Sequence, residues 1–590
     1  MVMNRLIERM WRNRGYSNEW LQEINQCNHS LPTHIKEMCE RLKYYHDSGE
    51  RIVLLTDFDM DGITAGVIGF AGMAELGFNV ALYLPDTDGY GFDERDIIRI
   101  KDEYPDVKAI LTADVGITAY AGIQYAKDAG LEVLLTDHHT PTGEFLPVAS
   151  VVVDPICDKG EEYFGGICGA HVLYLVMHYY AEHFSGDPIQ FVPQIERLRV
   201  FAGFGTVSDS MPVWYENRPL IRDAISICRL IYGDGTPEVV NSIPGCEIYK
   251  RAFLGLFLML KAFQERNKIR DGSSIDETFF AFYVAPAFNS IKRMSNSVEL
   301  AYQVFFGGET ASVENMEKIL ELTDQRKALV ESSLTEMLHD SNQPWAPYIY
   351  LTDSPVGIRG LLAQRVLALT GEPVLVVSDV GGGRLSGSGR CPSWFPFLDL
   401  TGDLDYVHAA GHNPAFGVSL DDTSACDALL AFLREEIVER KPQDLTVLNR
   451  PDFKISTVDD AADTDIDIEL FEDFLAELEI YRPFGASFPA PDLELEFRPM
   501  EGSWSYLGKD KNHIKVLLPH GFSLLCFNQA AYFPKDIYVD QMPKVISVRG
   551  HLNLNEFAGI KSVQFLGSLG EEVDQRGLSE EGVVTDEIED

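Results

Sequence analysis

Four short motifs rich in Asp and His each follow an apolar run within the first 210 residues of the chain. They are Thr56–Gly62 (TDFDMDG), Ala113–Gly116 (ADVG), Thr136–His139 (TDHH) and Gly205–Asp209 (GTVSD). Asp carboxylates and neutral imidazoles are ligands that hold Mn²⁺ or Mg²⁺. Delivered together to one end of a sheet, they would build a paired-metal site of the kind that hydrolyses phosphoesters. The motifs therefore predict a metal-dependent phosphoesterase.

The first motif is open to other interpretations when it is taken alone. Asp57, Asp59 and Asp61 alternate with apolar residues, a pattern that also fits a calcium-binding loop or an acidic turn. The preceding strand pattern and the lack of later oxygen ligands argue against an EF-hand. Metal catalysis and a simple acidic turn stay open at this motif.

The other motifs favour metal catalysis. Two adjacent histidines at a strand end, His138 and His139, are rarely both core residues, and Asp114 and Asp209 follow other apolar runs. Together with the first motif they supply enough ligands for two ions that share a bridging carboxylate.

Strands buried on both faces must position these motifs. Apolar runs separated by stretches long enough for crossover helices are Ile52–Leu55, Val80–Leu84, Ala109–Leu111, Val133–Leu135 and Val151–Val153. This alternation predicts a mostly parallel, doubly wound α/β sheet. In such sheets the site lies beyond the carboxyl ends of the strands, where the Asp residues fall.

Length and composition indicate a multidomain globular protein. The chain has 590 residues, 45% of them hydrophobic and 24% charged, so three or more domains with proper cores are expected. No apolar run reaches membrane-spanning length, and the N-terminus lacks the apolar segment of a secretory signal, which predicts a cytoplasmic protein. The nine cysteines never form a CxxC pair, which argues against a zinc ribbon or a disulfide framework.

The net charge of the chain is −42. Phosphate backbones repel such a chain on average, which lowers the expectation of a nucleic-acid partner. A nuclease can nevertheless hold phosphates through bound cations and a few local arginines while its outer surface stays acidic. The charge therefore does not exclude DNA or RNA.

Glycine-rich segments further along the chain could contact phosphate. Gly381–Arg384 and Gly387–Arg390 offer backbone amides and guanidinium groups, and Gly411–Asn413 could add a polar group to the same cleft. A flexible surface loop is the other interpretation of these glycines.

These motifs resemble the DHH phosphoesterase superfamily, named for the Asp-His-His that stands here at 137–139, and most closely its RecJ-type single-strand DNA exonucleases. The resemblance runs in the family's order from Arg51 to about Leu566. Ala285–Arg293 is similar to the family's connector element, Gly387–Arg390 and Gly411–His412 resemble its DHH-associated domain, and the region from Arg482 resembles its OB-fold module.

The resemblance implies roles for individual residues. Asp59 and Asp114 would hold one divalent cation, Mn²⁺ or Mg²⁺, with Asp57 nearby, and Asp61, Asp114, His138 and Asp209 would hold a second. Asp114 would bridge the two ions and His139 would contact the scissile phosphate, so these two are the catalytic candidates. The substrate-binding candidates are Asn289, Arg293, Arg384, Ser388, Arg390 and His412.

The chain departs from the family's pattern at a few positions. Leu55 stands where many superfamily members have a ligand histidine, and Ala287 and Lys292 replace residues that are often Arg and Gly. The segment Leu84–Gly89 is short and lacks an Arg often found there. The residues that bind the substrate are therefore expected to differ from the family's pattern more than the metal chemistry does.

The resemblance also implies a domain order and a function. The expected segments are an N-terminal helical segment (1–48), the DHH catalytic domain (49–215), a helical connector (216–335), a smaller α/β DHH-associated domain (336–440), an acidic helical linker (441–490), an OB-like β-barrel (491–570) and an acidic disordered tail (571–590). The expected activity is processive 5′→3′ digestion of single-stranded DNA to 5′-mononucleotides by a monomer, in DNA repair, recombination or replication. A single-strand-binding protein or a helicase is a candidate partner. The alternatives are a phosphodiesterase for RNA, short oligonucleotides or cyclic dinucleotides, and a non-catalytic replication or repair scaffold.

Overall fold

The computed structural model describes residues 4–85, 91–142, 146–158, 164–237, 240, 242–442, 450–458, 463–533, 538–539, 542–557 and 560–569. The predicted acidic tail, 571–590, lies outside the described residues. Contacts divide the chain into two compact units. The larger unit is Gln26–Pro442 with Gly485–Ser487, and the C-terminal unit is Met1–Asn25, Gln443–Phe484 and Phe488–Asp590. Over the described ranges, every helix is too short or too polar to cross a membrane.

The helices are α1 (Arg5–Asn13), α2 (Asn18–Glu23), α3 (Ile35–Ser48), α4 (Met60–Glu75), α5 (Glu94–Glu103), α6 (Tyr120–Asp128), α7 (Gly169–His183), α8 (Pro188–Arg197), α9 (Arg199–Ser208), α10 (Asn217–Asp234), α11 (Glu247–Glu265), α12 (Ala285–Arg293), α13 (Glu299–Phe306), α14 (Glu309–His339), α15 (Val356–Thr370), α16 (Phe397–Thr401), α17 (Thr423–Arg440) and α18 (Ile468–Leu478). A short helix, Glu277–Phe279, and a π-helical turn, Phe280–Val284, lead into α12.

The strands are β1 (Arg51–Thr56), β2 (Val80–Tyr83), β3 (Val107–Ala113), β4 (Glu132–Thr136), β5 (Val151–Val153), β6 (Ile349–Leu351), β7 (Val374–Asp379), β8 (Leu385–Arg390), β9 (Val407–His412), β10 (Ala415–Leu420), β11 (Lys454–Ser456), β12 (Leu493–Phe497), β13 (Trp504–Leu507), β14 (His513–Leu517), β15 (Ser523–Cys526), β16 (Tyr538–Val539), β17 (Met542–Pro543), β18 (Ile546–Phe557) and β19 (Ile560–Leu569).

The first sheet of the larger unit is parallel, with strand order β2-β1-β3-β4-β5. One face packs on α5 and α6 through residues such as Val53, Ile110 and Ile123, and the other face packs on α4. Gly69 of α4 lies so close to Leu54 that an added Cβ would come within 2.7 Å of it. Because both faces are covered, the strands are mostly apolar, and the predicted doubly wound parallel sheet is confirmed.

A second sheet of the larger unit follows the helical region between α10 and α14. Its order is β6-β7-β8-β10-β9, with β6 parallel to β7 and the other neighbours antiparallel. Helix α17 packs through Leu429 and Leu433 on the face that carries Phe416 and Val418. Helix α15 packs on β7 and β8 from the opposite side. This smaller α/β part therefore shares one unit with the metal-ligand motifs.

The C-terminal unit contains a mixed seven-stranded sheet of order β11-β12-β18-β19-β15-β14-β13. Its buried face carries alternate residues of the strands, such as Leu495, Val548 and Phe565, as expected for strands with one face in a core. Helix α18 contacts β18 and β19 and buries Phe471 and Phe474.

The region predicted as an exposed linker, 441–490, differs from that prediction where the structure describes it. Strand β11 pairs with β12, so Ile455 is fully buried in the sheet, and α18 packs on the same unit. Helices α1 and α2 also belong to this unit, whereas α3 belongs to the larger one, so the segment 1–48 does not act as one helical piece. Local periodicity predicted the helices correctly but carried no information about these distant partners.

Helix α1 is held in the C-terminal unit by a buried ion pair. Arg14 Nε and Nη2 each donate to Asp452 at 2.6 Å, and the two side chains are only 11% and 8% exposed. Replacing Arg14 with Met should leave the Asp452 carboxylate buried without its cation and destabilise this unit by about 3 kcal/mol. Urea denaturation followed by tryptophan fluorescence measures the change, since Trp11 lies on α1 with its ring centroid 5.7 Å from the Arg14 guanidinium.

Arg12→Met is the matched control, because the Arg12–Glu8 pair on the same helix is exposed, with side chains 71% and 59% accessible. Exposed pairs of this kind contribute less than about 1 kcal/mol. An equal loss of stability in the two variants would contradict the assigned role of Arg14.

Candidate metal centre

Three aspartates lie at one edge of the parallel sheet, each one residue beyond a strand. The backbone N–H of Asp57 donates to Ala113 at 3.3 Å, that of Asp114 to Thr136 at 3.2 Å, and that of Asp137 to Val153 at 3.2 Å. The backbone hydrogen bonds of the parallel sheet therefore continue through the three aspartates. Their side chains emerge at the carboxyl ends of β1, β3 and β4, where doubly wound sheets bind ligands.

The acidic loop after β1 is shaped by the start of α4. Asp59 caps this helix, because its Oδ1 accepts hydrogen bonds from the backbone N–H groups of Asp61 at 2.9 Å and Gly62 at 3.1 Å. A Cβ at Gly62 would fall 2.6 Å from the backbone of Asp57. The glycine that ends the first motif is thus required for helix α4 to start directly over β1.

Asp114 has a left-handed backbone, with φ of 63°. Asp adopts this region more readily than most residues, at a small cost in free energy. The turn continues into Gly116, whose φ is 123°. The side chain of Asp114 is almost fully buried, and its Oδ1 lies 3.2 Å from Nε2 of His138.

His138 lies among three carboxylates. Its Nε2 is 3.2 Å from Asp114 Oδ1, 3.5 Å from Asp209 Oδ2 and 3.7 Å from Asp61 Oδ2. Burial lowers the pKa of His138, which favours the neutral imidazole that binds metals. Both His138 Nε2 and Asp114 Oδ1 are buried and have no hydrogen-bond partner among the described residues. Orphaned buried polar atoms of this kind indicate a missing ligand.

The ligand atoms fall into overlapping groups whose members all lie within 4.8 Å of one another. The groups are Asp57, Asp59 and Asp114; Asp61, His138 and Asp209; and Asp114, His138 and His139. Asp114 belongs to two groups. Hard carboxylates with one or two imidazoles suit Mn²⁺ or Mg²⁺, and the arrangement fits two such cations.

The electrostatics of these carboxylates also favour bound cations. Burial and the neighbouring carboxylates raise the pKa of Asp59, and raise those of Asp57 and Asp114 well above the usual range. Burial together with the carboxylates of Asp61 and Asp59 raises the pKa of Asp209 to about 8. Like charges this close disfavour one another's ionised form, and divalent cations would remove that repulsion.

Helix α7 and two glycines hold Asp61, the third aspartate of the first motif, in place. Asp61 accepts hydrogen bonds from the backbone N–H groups of Gly169 at 2.7 Å and Ala170 at 3.0 Å, at the positive end of α7. A Cβ on Gly169 would fall 2.3 Å from Asp114 Oδ1, and one on Gly205 would fall 2.3 Å from Asp61 Oδ1. Gly205 lies in the fourth motif, but sequence reasoning missed Gly169, because nothing in the local pattern signals it.

Asp137 holds His139 and the neighbouring loop. Its Oδ2 accepts from the N–H of Ile117 at 2.8 Å, and its Oδ1 accepts from the N–H of His138 and from Nδ1 of His139, both at 2.8 Å. Burial raises the pKa of Asp137, but these hydrogen bonds outweigh it and leave that pKa below the usual value. Burial lowers the pKa of His139, but the bond to Asp137 and nearby carboxylates raise it to about 9.

Replacing Asp137 with Asn should lower activity by roughly 10²- to 10³-fold while leaving cation binding largely intact. The amide cannot accept all the hydrogen bonds that now orient His139, and Asp137 is in none of the metal-binding groups. Rates of strand cleavage and calorimetric titration with Mn²⁺ measure the two effects separately. Loss of cation binding equal to the loss of rate would contradict this positioning role.

Two arginines approach the site from the second half of the larger unit. They are Arg293, the last residue of α12, and Arg390, the last residue of β8, and the first turn of α15 lies between them. A Cβ on Gly357 would fall 2.3 Å from the backbone oxygen of Arg293, and one on Gly360 would fall 2.9 Å from the guanidinium of Arg390. Arg326, which sequence reasoning missed, has a buried Nε with no hydrogen-bond partner in the described part of the chain. Burial, and to a smaller extent the charge of Arg293, lowers the pKa of Arg326 to about 10.

The other substrate-binding candidates are placed differently. Asn289 reaches the site, but its Oδ1 accepts a 2.8 Å hydrogen bond from the N–H of Met60 and so caps α4. Ser388 lies on the same face of β8 as Arg390. Arg384 lies beyond the opposite end of β8, about 20 Å along the strand, and is not brought together with Arg390. The side chain of His412, the last residue of β9, is outside the described part of the chain.

Two family models match the chain. The DHH family, N-terminal domain, matches residues 51–197, which contain the first three motifs. The RecJ OB domain matches residues 462–567, which include α18 and the strands from β12 onward. Residues 51–197 therefore match the N-terminal domain of the DHH family, and residues 462–567 match the OB domain of RecJ.

Relatives match nearly the whole chain. "Single-stranded-DNA-specific exonuclease RecJ" of Salmonella typhimurium is 25% identical over 547 residues, which are 88% of this chain and 87% of that protein. The protein of the same name from Escherichia coli is 25% identical over 593 residues, 95% of each chain.

Solved structures support the same fold. RecJ from Thermus thermophilus in complex with Mn²⁺ has a TM-score of 0.67 at 21% identity, over 95% of this chain and 75% of that one. The Mg²⁺ complex from the same organism has a TM-score of 0.63 at 20% identity, over 96% of this chain and 74% of that one. At this identity the likeness establishes the fold.

Proposed function

We propose that the chain is a metal-dependent exodeoxyribonuclease that digests single-stranded DNA processively in the 5′→3′ direction and releases 5′-mononucleotides. The observation that carries this proposal is the shared position of Asp114 in two ligand groups at the carboxyl edge of the sheet. The RecJ OB domain favours a long single strand as substrate, since OB folds are common single-strand binding platforms.

The cofactors are two divalent cations, Mn²⁺ or Mg²⁺, which would supply Lewis-acid stabilisation of the developing phosphoryl charge and an acidified water nucleophile. Asp57, Asp59 and Asp114 would hold one cation. Asp61, His138 and Asp209 would hold the other, with Asp114 reaching both. The protein's contribution is to fix these side chains before the substrate arrives, through the cap of α4 and the N-terminus of α7.

The remaining residues position the substrate. His139, held by Asp137 and protonated at neutral pH in the cation-free site, would donate a proton or a hydrogen bond to a phosphate oxygen. Arg293 and Arg390 would hold phosphates from the side of α15, and Arg326 would add a third guanidinium behind them. Ser388 lies on the face of β8 that carries Arg390.

A non-catalytic scaffold is the less favoured alternative. Such a protein would have no need to keep buried carboxylates that repel one another, or a His138 Nε2 without a hydrogen-bond partner among the described residues. We further propose that the chain acts as a cytoplasmic monomer, with a single-strand-binding protein or a helicase as its protein partner.

The test is digestion of matched single-stranded DNA, duplex DNA, RNA and dinucleotide substrates in Mn²⁺, each labelled at the 5′ or the 3′ end. Mononucleotides released from single-stranded DNA, first from the 5′ end, would support the proposal. Faster cleavage of RNA or dinucleotides would favour another phosphodiesterase, and binding of single strands with no cleavage of any substrate would favour the scaffold. Protein carrying Asp114→Asn, purified in parallel, controls for contaminating nucleases.

A further inference from the structure

A large cavity opens beside the metal centre, and most of the residues that line it have no role assigned above. Its volume is about 1290 Å³, and Asp59 lies on its wall. It is lined by parts of α4, α12 and α13, by the residues that follow β2 and by the start of α15. It exceeds the roughly 300–1,000 Å³ of ordinary small-molecule pockets, so its volume is sufficient for a nucleotide.

The sheet fixes where the cavity lies relative to the ligands. Strand β2 is the edge strand beside β1, and Tyr83 pairs with Leu55. Leu84 and Pro85, which line the cavity, therefore leave the sheet beside Thr56 and Asp57. Along the carboxyl edge the order is the cavity, then the loop after β1, then Asp114 and the histidines. A strand whose scissile phosphate lies at Asp114 has a neighbouring nucleotide at the cavity.

The wall nearest the ligands is aromatic and cationic. Phe58, between Asp57 and Asp59, is half-buried and lines the cavity, and Lys292 Nζ lies 5.5 Å from the centroid of its ring. Further in, Phe70 and Phe306 form an edge-to-face pair with centroids 5.1 Å apart. Aromatic rings of this kind offer faces on which a nucleobase can stack.

The charge of the cavity argues against passage of a continuing strand. Lys292 and Arg293 line the cavity, but Glu103 and Glu299 line it as well and balance their charge. A continuing strand would bring one phosphate with every nucleotide, and such a balance of charge does not favour a polyanion. The end of a strand brings an uncharged base and sugar with a single 5′-phosphate, and so suits these walls better.

We propose that this cavity binds the base and sugar of the terminal nucleotide, the one that each cleavage releases, with the base stacked on Phe58. The proposal rests on the proposed function and deepens it, because it names the part of the substrate that binds on the β2 side of the metal centre. Phe58 is then a binding residue that determines how well the enzyme engages the end of a strand.

The experiment combines a change in the substrate with a change in the protein. Single-stranded oligonucleotides carry an abasic tetrahydrofuran either at the first nucleotide of the digested end or at the third. Wild-type protein should lose about tenfold in kcat/KM for the first cleavage when the first base is missing, within the range expected for one stacked base. It should lose little when the third base is missing.

Phe58→Leu should lose about tenfold on the intact oligonucleotide and nothing further when the first base is removed. Phe58→Tyr should keep the wild-type loss of kcat/KM when the first base is missing. Phe306→Leu, which is remote from the metal ligands, should reduce that loss partly. Phe282→Leu is the matched control, because Phe282 is 70% exposed and does not line the cavity. The proposal is wrong if Phe58→Leu loses a further tenfold in kcat/KM when the first base is missing, so that the two losses multiply. It is also wrong if only removal of the third base lowers kcat/KM.

A binding measurement separates this proposal from the proposed function. Equilibrium dialysis with Ca²⁺ compares dAMP with deoxyribose 5-phosphate, which lacks the base. Binding of dAMP about tenfold more tightly by wild type, but not by Phe58→Leu, would support the cavity assignment even if no DNA were cleaved. Cleavage of single-stranded DNA with equal binding of the two probes would overturn the cavity assignment and leave the nuclease proposal standing.

Discussion

Asp114→Asn should reduce strand cleavage by at least roughly 10³-fold, the largest effect expected for any single substitution in the chain. Asp114 is in two of the metal-binding groups, so its loss weakens both cation sites together. Asn is the appropriate replacement, because its side chain has the same shape and tolerates the left-handed backbone at φ of 63°. Alanine there would add backbone strain to the chemical defect.

Single-turnover cleavage in Mn²⁺ and calorimetric titration with Mn²⁺ measure the effect of this substitution. The thermal midpoint in metal-free buffer should not fall and should rise if anything, because one of several mutually repelling buried carboxylates is removed. Asp128→Asn is the matched control, since Asp128 is exposed on α6, where it accepts a hydrogen bond from Gln124. Retention of more than a tenth of the activity in Asp114→Asn would rule out a bridging role.

Gly169→Ala should reduce cleavage by roughly 10²-fold or more, although Gly169 carries no chemistry. Its added Cβ would stand 2.3 Å from Asp114 Oδ1 and 2.4 Å from Asp114 Cβ, so either the carboxylate or the start of α7 must shift. A displacement of about 1 Å at a catalytic group is enough for a loss of this size. The same shift would weaken the hydrogen bond from Gly169 to Asp61.

Gly233→Ala is the matched control for this substitution. Gly233 lies near the end of α10, and a Cβ there would meet no other atom within 4 Å. It should leave activity unchanged and stabilise the protein by up to about 1 kcal/mol, since alanine favours helices over glycine. If Gly169→Ala retained full activity and normal Mn²⁺ affinity, the packing of α7 against Asp114 would have no part in shaping the site.

The parallel sheet could be predicted from the sequence because its strands are buried on both faces. Continuous apolar runs such as Ile52–Leu55 and Val133–Leu135 fall inside β1 and β4. The aspartates that directly follow those strands necessarily reach the same edge of the sheet. The convergence of Asp57, Asp114 and Asp137 therefore follows from local pattern and one rule of topology.

What could not be predicted depends on contacts between distant parts of the chain. The requirement for glycine at 169 arises only when α7 packs on β3, and the need for Asn289 at the start of α4 spans 229 residues. Arg384 and Arg390 are close in sequence, and both were candidates for binding phosphate. The length of β8 separates them, because Arg384 lies at the opposite end of the strand from Arg390. Each of these is a three-dimensional fact with no local signature.

The division of the C-terminal unit between the two ends of the chain has a consequence for the order of synthesis. Leu6, Ile7, Met10 and Trp11 of α1 are buried in this unit, and every part of the unit beyond Asn25 follows residue 442. A nascent chain therefore carries the apolar side of α1 without its partner while more than 400 residues are translated. The larger unit can fold first, and the C-terminal unit can close only when the last strands leave the ribosome.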